Sequence, residues 1–150
     1  MNAAVPLSPA AVVVRRTIAA PAEDIFDAWL DPQALAEWMR PGSVRSTVAR
    51  VEARVGGSYE IIMQIESGPV VHRGVYRIVD RPRRLSFTWK TEFTENQETL
   101  VTVDFIRQGL RTEVIVTHEQ LPESAMDSHR NGWTSGLQHL DEACQKGLIG

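Results

Sequence analysis

The middle of the chain alternates apolar and polar residues with a period of two. The runs 59–66, 85–90, 101–105 and 113–117 each place apolar side chains at alternating positions. Clusters of glycine, proline and asparagine separate these runs and are typical of turns. Between residues 43 and 118 the pattern therefore predicts a meander of about six antiparallel strands with one face in water.

Both flanks of this region differ from it. The β-branched segment Val12–Ile18 predicts a first strand. Pro21 suits the start of a short helix, and Pro32–Trp38 predicts a second one. After Pro122 an apolar stripe at spacings of three and four predicts one long helix. The stripe consists of Met126, His129, Trp133, Leu137, Leu140 and Cys144.

This order of elements predicts an α+β fold. A bent antiparallel sheet of six to seven strands would hold the long C-terminal helix against its concave side, with the two short helices closing one end. Residues 1–10 are predicted to be a flexible tail, and residues 11–150 a single domain. The length of 150 residues is common for one domain and is enough for one hydrophobic core.

Charge gives no sign of a nucleic-acid partner. The formal net charge is −3, whereas nucleic-acid binding usually needs a basic stripe. The densest basic run, Arg81-Pro82-Arg83-Arg84, lies between two predicted strands and is interpreted as a solvated turn.

Neither a membrane segment nor a metal site is predicted. No stretch of ~18 apolar residues occurs, and the N-terminal region lacks the pattern of a secretory signal. The single cysteine, Cys144, fits a reducing compartment, so a cytoplasmic location is expected. His118-Glu119 begins like a zinc helix, but Pro122 stands where the second histidine would be. We expect neither a metal nor a cofactor.

Several short motifs resemble one family. They include Ile18-Ala-Ala-Pro21, Ile25-Phe26-Asp-Ala-Trp29, the strand at residues 82–89 and Gly132-Trp133-Thr-Ser-Gly136-Leu137. In this order and spacing, over about residues 12–145, they resemble the activator-of-Hsp90-ATPase homologues of the START/Bet v 1-like superfamily.

The resemblance implies a helix-grip fold with a cavity between the long helix and the sheet. Members of the wider superfamily bind lipids, plant hormones or polyketides, and some are cyclases or hydrolases. In the eukaryotic co-chaperone that names the family, stimulation of Hsp90 is associated with an additional N-terminal domain and its motif. This sequence has no match to that motif, so we expect no Hsp90 activation.

Strand parity predicts which polar side chains face such a cavity. Arginines at positions 73 and 77 are costly to bury, which turns their face of the strand to solvent. The opposite face would then be inward: Val70, His72, Gly74, Tyr76 and Ile78. The same reasoning turns His118 inward, and His129 shares a helix face with Trp133.

Ten side chains are predicted to contact a ligand: Trp38, Met63, His72, Tyr76, Trp89, Phe105, His118, His129, Trp133 and Leu137. His72 and His118 are the candidate acid–base groups, since a neutral imidazole can act as a general base. The alternative is that these polar groups are buried and satisfy one another or backbone carbonyls. Gly132 and Gly136 would serve either close helix packing or space for a ligand.

Three functions follow from this interpretation. The sequence favours a non-catalytic protein that binds an apolar or aromatic small molecule. The second hypothesis is a cyclase- or hydrolase-like enzyme that uses the cavity histidines. The third is a protein-interaction module, chaperone-linked or pairing as a homodimer.

Overall fold

The computed structural model describes residues 11–149. Its helices and strands are, in chain order, β1 (Val12–Ile18), α1 (Ala22–Ala28), α2 (Pro32–Trp38), β2 (Ser46–Val51), β3 (Ser58–Ile65), β4 (Gly68–Asp80), β5 (Arg84–Trp89), β6 (Thr99–Gln108), β7 (Arg111–Glu119) and α3 (Met126–Gln145). Short 3-10 helices occupy Glu92–Thr94 and Glu123–Ala125. The predicted tail at residues 1–10 lies outside the described residues.

The seven strands form one antiparallel sheet in the order β1-β7-β6-β5-β4-β3-β2. The sheet is curled, and the long helix α3 lies against its concave side. This is the helix-grip fold, which confirms the fold predicted from the sequence. The predicted bounds of β1 and α2 also agree with the structure.

Prolines and an aspartate set the starts of the two short helices. Pro21 precedes α1 with extended backbone angles, and acidic residues occupy the first turn of that helix, where they interact favourably with the helix dipole. In α2 the Asp31 carboxylate accepts the backbone N–H of Gln33 at 3.0 Å, and Pro32 follows at the first helical position. This cap and the proline start α2 directly after the end of α1.

The core lies between the concave face of the sheet and the helices. Trp38, Leu137 and Leu140 are completely buried there. The indole N–H of Trp38 donates to the carbonyl of Ala28 at 2.9 Å, which ties α2 to the end of α1. The two short helices therefore close one end of the sheet as a packed unit.

The parity predicted for β4 holds up to Tyr76 and then fails. A bulge shifts the register against β5 between Tyr76 and Ile78. Ile78 is consequently exposed, while Val79 packs against the core. The expectation that Ile78 faces inward was wrong, because one extra residue in a strand exchanges its two faces.

Candidate functional site

A cavity of about 340 Å³ lies between α3 and the β3–β5 part of the sheet. Its walls are formed mainly by Met63, Val70, His72, Trp89 and Trp133. This volume is at the lower end of the range of ~300–1,000 Å³ that small-molecule pockets occupy. The cavity can therefore hold a compact organic molecule.

Three segments of the chain surround the opening of the cavity. The segment from Pro41 to Val44, the exposed ring of Phe93 and the first turns of α3 at Ser128 and Asn131 surround it. Phe93 is 47% exposed although it is a large aromatic residue. An apolar ring at the rim lets a hydrophobic molecule contact the protein before it is enclosed.

The lining of the cavity is uncharged. Among its lining residues, all within the described part of the chain, there is no aspartate, glutamate, lysine or arginine. Carbon-rich side chains and aromatic rings form most of the wall. An ionised ligand would lose its hydration without gaining an opposite charge, which is unfavourable.

The structure divides the ten predicted ligand contacts into two groups. Five line the cavity: Met63, His72, Trp89, His129 and Trp133. The other five are buried elsewhere in the core and do not line it: Trp38, Tyr76, Phe105, His118 and Leu137. Strand and helix periodicity identified the inward face but not the position along each element.

His118 is held at the centre of a hydrogen-bonded chain. The indole N–H of Trp133 donates to Nδ1 of His118 at 3.0 Å. The Thr99 hydroxyl donates to the Trp89 carbonyl at 2.6 Å, so the 2.7 Å contact between that hydroxyl and His118 Nε2 must use the proton of the imidazole. His118 is therefore neutral with its proton on Nε2.

This arrangement leaves His118 without a free nitrogen. Burial, together with a smaller effect of the nearby His129, lowers the pKa of His118 to about 2. A ring with both nitrogens bonded and so low a pKa is a poor general base near neutral pH. His118 fits the alternative interpretation, in which buried polar groups satisfy one another.

His72 lies in the wall of the cavity on β4. Its Nδ1 is 3.3 Å from the carbonyl oxygen of Ile61, and its ring centroid is 4.7 Å from that of Trp89. Burial lowers its pKa to about 4, although the backbone hydrogen bond with Ile61 acts in the opposite direction. His72 is therefore neutral near pH 7.

His129 lies on the first turn of α3, beside the opening. Its Nδ1 is 2.8 Å from the carbonyl oxygen of Ala125, and its ring packs edge to face on His118 with centroids 5.0 Å apart. Burial lowers its pKa as well. Two neutral imidazoles, His72 and His129, thus contribute to the lining.

Gly132 provides space rather than close packing. A Cβ atom at Gly132 would lie 3.8 Å from the Cβ of Pro41, and one at Gly136 would lie 3.9 Å from the Trp38 ring. Both distances are ordinary van der Waals contacts, so neither glycine is required for the helix to approach its neighbours. Gly132 lines the cavity, which therefore is larger than a bulkier side chain would allow.

Sequence reasoning missed several lining residues. Val70 belongs to the inward face of β4 that parity identified, and Ile65 continues the inward face of Met63. Phe93 does not belong to an alternating strand pattern. It is an aromatic residue between polar neighbours in a predicted turn region, which was the one indication of a special role. Nothing in the sequence indicated that the loop would fold back over the sheet.

The basic run at residues 81–84 and the single cysteine both lie outside the cavity. The arginines of the basic run are each paired with a carboxylate: Arg81 with Asp27, Arg83 with Asp80 and Arg84 with Asp104. Cys144 is half-buried, and burial raises the pKa of its thiol to about 11. A protonated thiol is a weak nucleophile.

Residues 11–149 contain no cluster of three or more histidine, cysteine, aspartate or glutamate side chains placed to hold a metal ion. Among the same residues, no helix is both long enough and apolar enough to cross a membrane.

A family model matches most of the sequence. The model for "Activator of Hsp90 ATPase homolog 1-like protein" matches residues 19–145. No protein of curated function is similar enough in sequence to match.

Solved structures share the fold. A protein from Chromobacterium violaceum is 24% identical with a TM-score of 0.79, over 89% of this chain and 96% of that one. The AHSA1-like protein from Aeromonas hydrophila is 24% identical with a TM-score of 0.75, over 92% and 94%. An HSP90 activator from Plasmodium falciparum is 26% identical with a TM-score of 0.71, over 91% and 96%.

Proposed function

Because this chain belongs to the activator of Hsp90 ATPase homolog 1-like family, whose model covers residues 19–145, we propose that it binds an apolar or aromatic small molecule in the cavity under α3. The observation that carries the proposal is the cavity itself: about 340 Å³, apolar, uncharged and open at one end. An apolar ligand that enters this space exchanges contact with water for contact with apolar walls, which is favourable.

The aromatic walls favour a flat ring system. Trp89 on the sheet and Trp133 on the long helix pack against each other, with ring centroids 5.3 Å apart. His72 packs beside Trp89. Aromatic side chains offer large apolar faces and specific ring–ring geometries. A ligand with one or two fused rings would match the volume and the aromatic lining of the cavity.

The histidines support binding over acid–base catalysis. Both nitrogens of His118 are bonded within the protein, and the pKa of His72 is lowered to about 4. An efficient general base has a pKa near the working pH. The cyclase- or hydrolase-like alternative would need a proton acceptor other than His72 or His118.

Thermal unfolding with a panel of apolar and aromatic compounds tests the proposal. A ligand present at ~100 times its Kd stabilises the folded state by about 2.7 kcal/mol, which for a chain of this size raises Tm by roughly 5–10 °C. Native mass spectrometry of gently purified protein would identify a molecule retained from the cell. If no compound of the panel raises Tm, the cavity is not a binding site for this class.

A second candidate function rests on one structural relative. The protein from Plasmodium falciparum, 26% identical over 91% of this chain, is described as an HSP90 activator. Stimulation of the ATPase of an Hsp90-type chaperone by this protein would support an activator role here. Neither binding nor stimulation at micromolar concentrations would remove this candidate.

A further inference from the structure

The tautomers of the two cavity histidines are fixed by backbone carbonyls. Nδ1 of His72 faces the carbonyl oxygen of Ile61 at 3.3 Å, and Nδ1 of His129 faces that of Ala125 at 2.8 Å. A carbonyl oxygen only accepts hydrogen bonds, so each Nδ1 must carry the proton. In the neutral ring the other nitrogen, Nε2, is then an acceptor with a free lone pair.

Both Nε2 atoms reach open space. The hydrogen bonds of His72 to Ile61 and of His129 to Ala125 both use Nδ1, and neither Nε2 is one of the enclosed polar atoms that lack a partner. His72 is only 4% exposed. For His72 the cavity is the open space available, and the partly buried ring of His129 lines the same cavity beside its opening.

The nearby donors are already used or inaccessible. Trp133 donates its indole N–H to His118, and the Ser128 hydroxyl donates to the carbonyl of Ala125 at 3.1 Å. The indole N–H of Trp89 is sealed from open space. Ser43 and Asn131 are exposed at the opening, so the inner part of the cavity offers acceptors without matching donors.

We propose that the cavity selects an uncharged aromatic molecule that carries a hydroxyl group, with the hydroxyl donating a hydrogen bond to Nε2 of His72 or His129. This inference rests on the proposed function and adds the polarity of the ligand to it. A phenol or an aromatic alcohol has this chemistry. The apolar ring would pack against the Trp89–Trp133 pair, and the hydroxyl would donate to an imidazole nitrogen that accepts no hydrogen bond from the protein.

Anionic ligands fit the same site poorly. A carboxylate would face imidazole lone pairs, and the lining contains no lysine or arginine to compensate its charge. Burial keeps both imidazoles neutral near pH 7, since it lowers the pKa of each. The site therefore discriminates against acids of the same size.

Four naphthalene derivatives of nearly equal size provide the test by isothermal titration calorimetry near pH 7. They are 1-naphthol, 1-methoxynaphthalene, 1-methylnaphthalene and 1-naphthoate. A hydrogen bond of ordinary net strength should make 1-naphthol bind about 2- to 12-fold more tightly than 1-methylnaphthalene. The methoxy compound, which only accepts, should have no advantage, and 1-naphthoate should bind most weakly.

His72→Phe and His129→Phe then locate the acceptor. The variant that removes it should bind 1-naphthol and 1-methylnaphthalene equally, while its retained affinity for 1-methylnaphthalene shows that the cavity is intact. A preference for 1-naphthol that survives both single changes and their combination contradicts the assignment to these histidines.

The outcomes separate this inference from the function on which it rests. If 1-methylnaphthalene binds as well as 1-naphthol, or 1-naphthoate binds most tightly, the selection for a hydroxyl donor is wrong while the cavity remains a binding site. If none of the four compounds binds, the proposed function fails for this ligand class, and the inference fails with it.

Discussion

The indole N–H of Trp133 on α3 donates a 3.0 Å hydrogen bond to Nδ1 of His118 on β7. This contact joins the long helix to the sheet at the inner end of the cavity, where Trp133 also forms part of the wall. Because it fixes the tautomer of His118, it also fixes the direction of the hydrogen bonds that continue to Thr99 and to the carbonyl of Trp89.

Trp133→Phe should destabilise the protein by about 1–3 kcal/mol from the hydrogen bond alone, because it leaves Nδ1 of buried His118 without a donor. Removal of part of the ring adds to this loss. The free energy of unfolding in urea measures the effect. His118→Leu and the double variant complete a cycle, and we expect a coupling of ~0.5–3 kcal/mol. Strictly additive effects of the two changes would show that the bond does not stabilise the fold.

Stability should fall as the pH is lowered from 6.5 towards 4. The pKa values of His72 and His118 are lowered in the folded protein to about 4 and about 2. Below the unfolded value of about 6.5, the unfolded chain binds protons that the folded chain does not, and stability is lost by ~1.4 kcal/mol per pH unit for each such histidine. Above pH 6.5 both histidines are neutral in the folded and in the unfolded chain, so their protonation no longer reduces the stability.

Urea unfolding at pH 7, 6 and 5 measures this dependence. His72→Phe should reduce the dependence of the unfolding free energy on pH between pH 6 and 5, because about one proton fewer is taken up on unfolding. An unfolding free energy that stays constant over this interval in the unmodified protein would mean that these histidines do not remain neutral when buried.

Gly74→Ala and Gly132→Ala should have opposite effects. A Cβ at Gly74 would lie 1.8 Å from the carbonyl oxygen of Thr88 and 2.6 Å from the Tyr59 ring, and the backbone cannot move away without breaking the β4–β5 pairing. A loss on the order of 3 kcal/mol or more is expected for overpacking of this severity. At Gly132 there is no clash, and the higher helix propensity of alanine should raise the free energy of unfolding by up to about 1 kcal/mol. Equal stability of the two variants would contradict the packing described.

Binding of a neutral hydroxyl-bearing ring should not depend on pH between about 6 and 8. The His72 ring is already neutral there, because burial lowers its pKa to about 4, and burial lowers the pKa of His129 in the same direction. Calorimetric titration with 1-naphthol at several pH values measures this. A steep loss of affinity on acidification from 8 to 6 would indicate that a histidine titrates in the site.

Strand alternation predicted much of the fold and part of the site. In β4 the exposed arginines made the inward position of His72 predictable, and the structure places His72 in the cavity wall. The same alternation gave the wrong face for Ile78, because a bulge depends on contacts between strands. Just before this bulge the Thr88 hydroxyl accepts the N–H of Val75 at 2.9 Å.

The sequence did not predict where along each strand or helix an inward side chain reaches the cavity. Tyr76 and Phe105 face inward as predicted, but Tyr76 packs against Tyr59 and Phe105 packs against Phe26. They fill the part of the concave face that the two short helices cover. Periodicity identifies the face of a strand and contains no information about which neighbouring helix covers which residue.

A calorimetric titration with an apolar aromatic ligand such as 1-methylnaphthalene tests most directly whether ligands bind in the cavity. It compares the unmodified protein with Gly132→Leu, whose side chain would occupy the cavity. Thr134→Leu, an exposed position on the same helix, is the matched control. We predict binding to the unmodified protein and to Thr134→Leu, and loss of binding in Gly132→Leu. Equal binding to all three would place the ligand outside the cavity and contradict the proposed function.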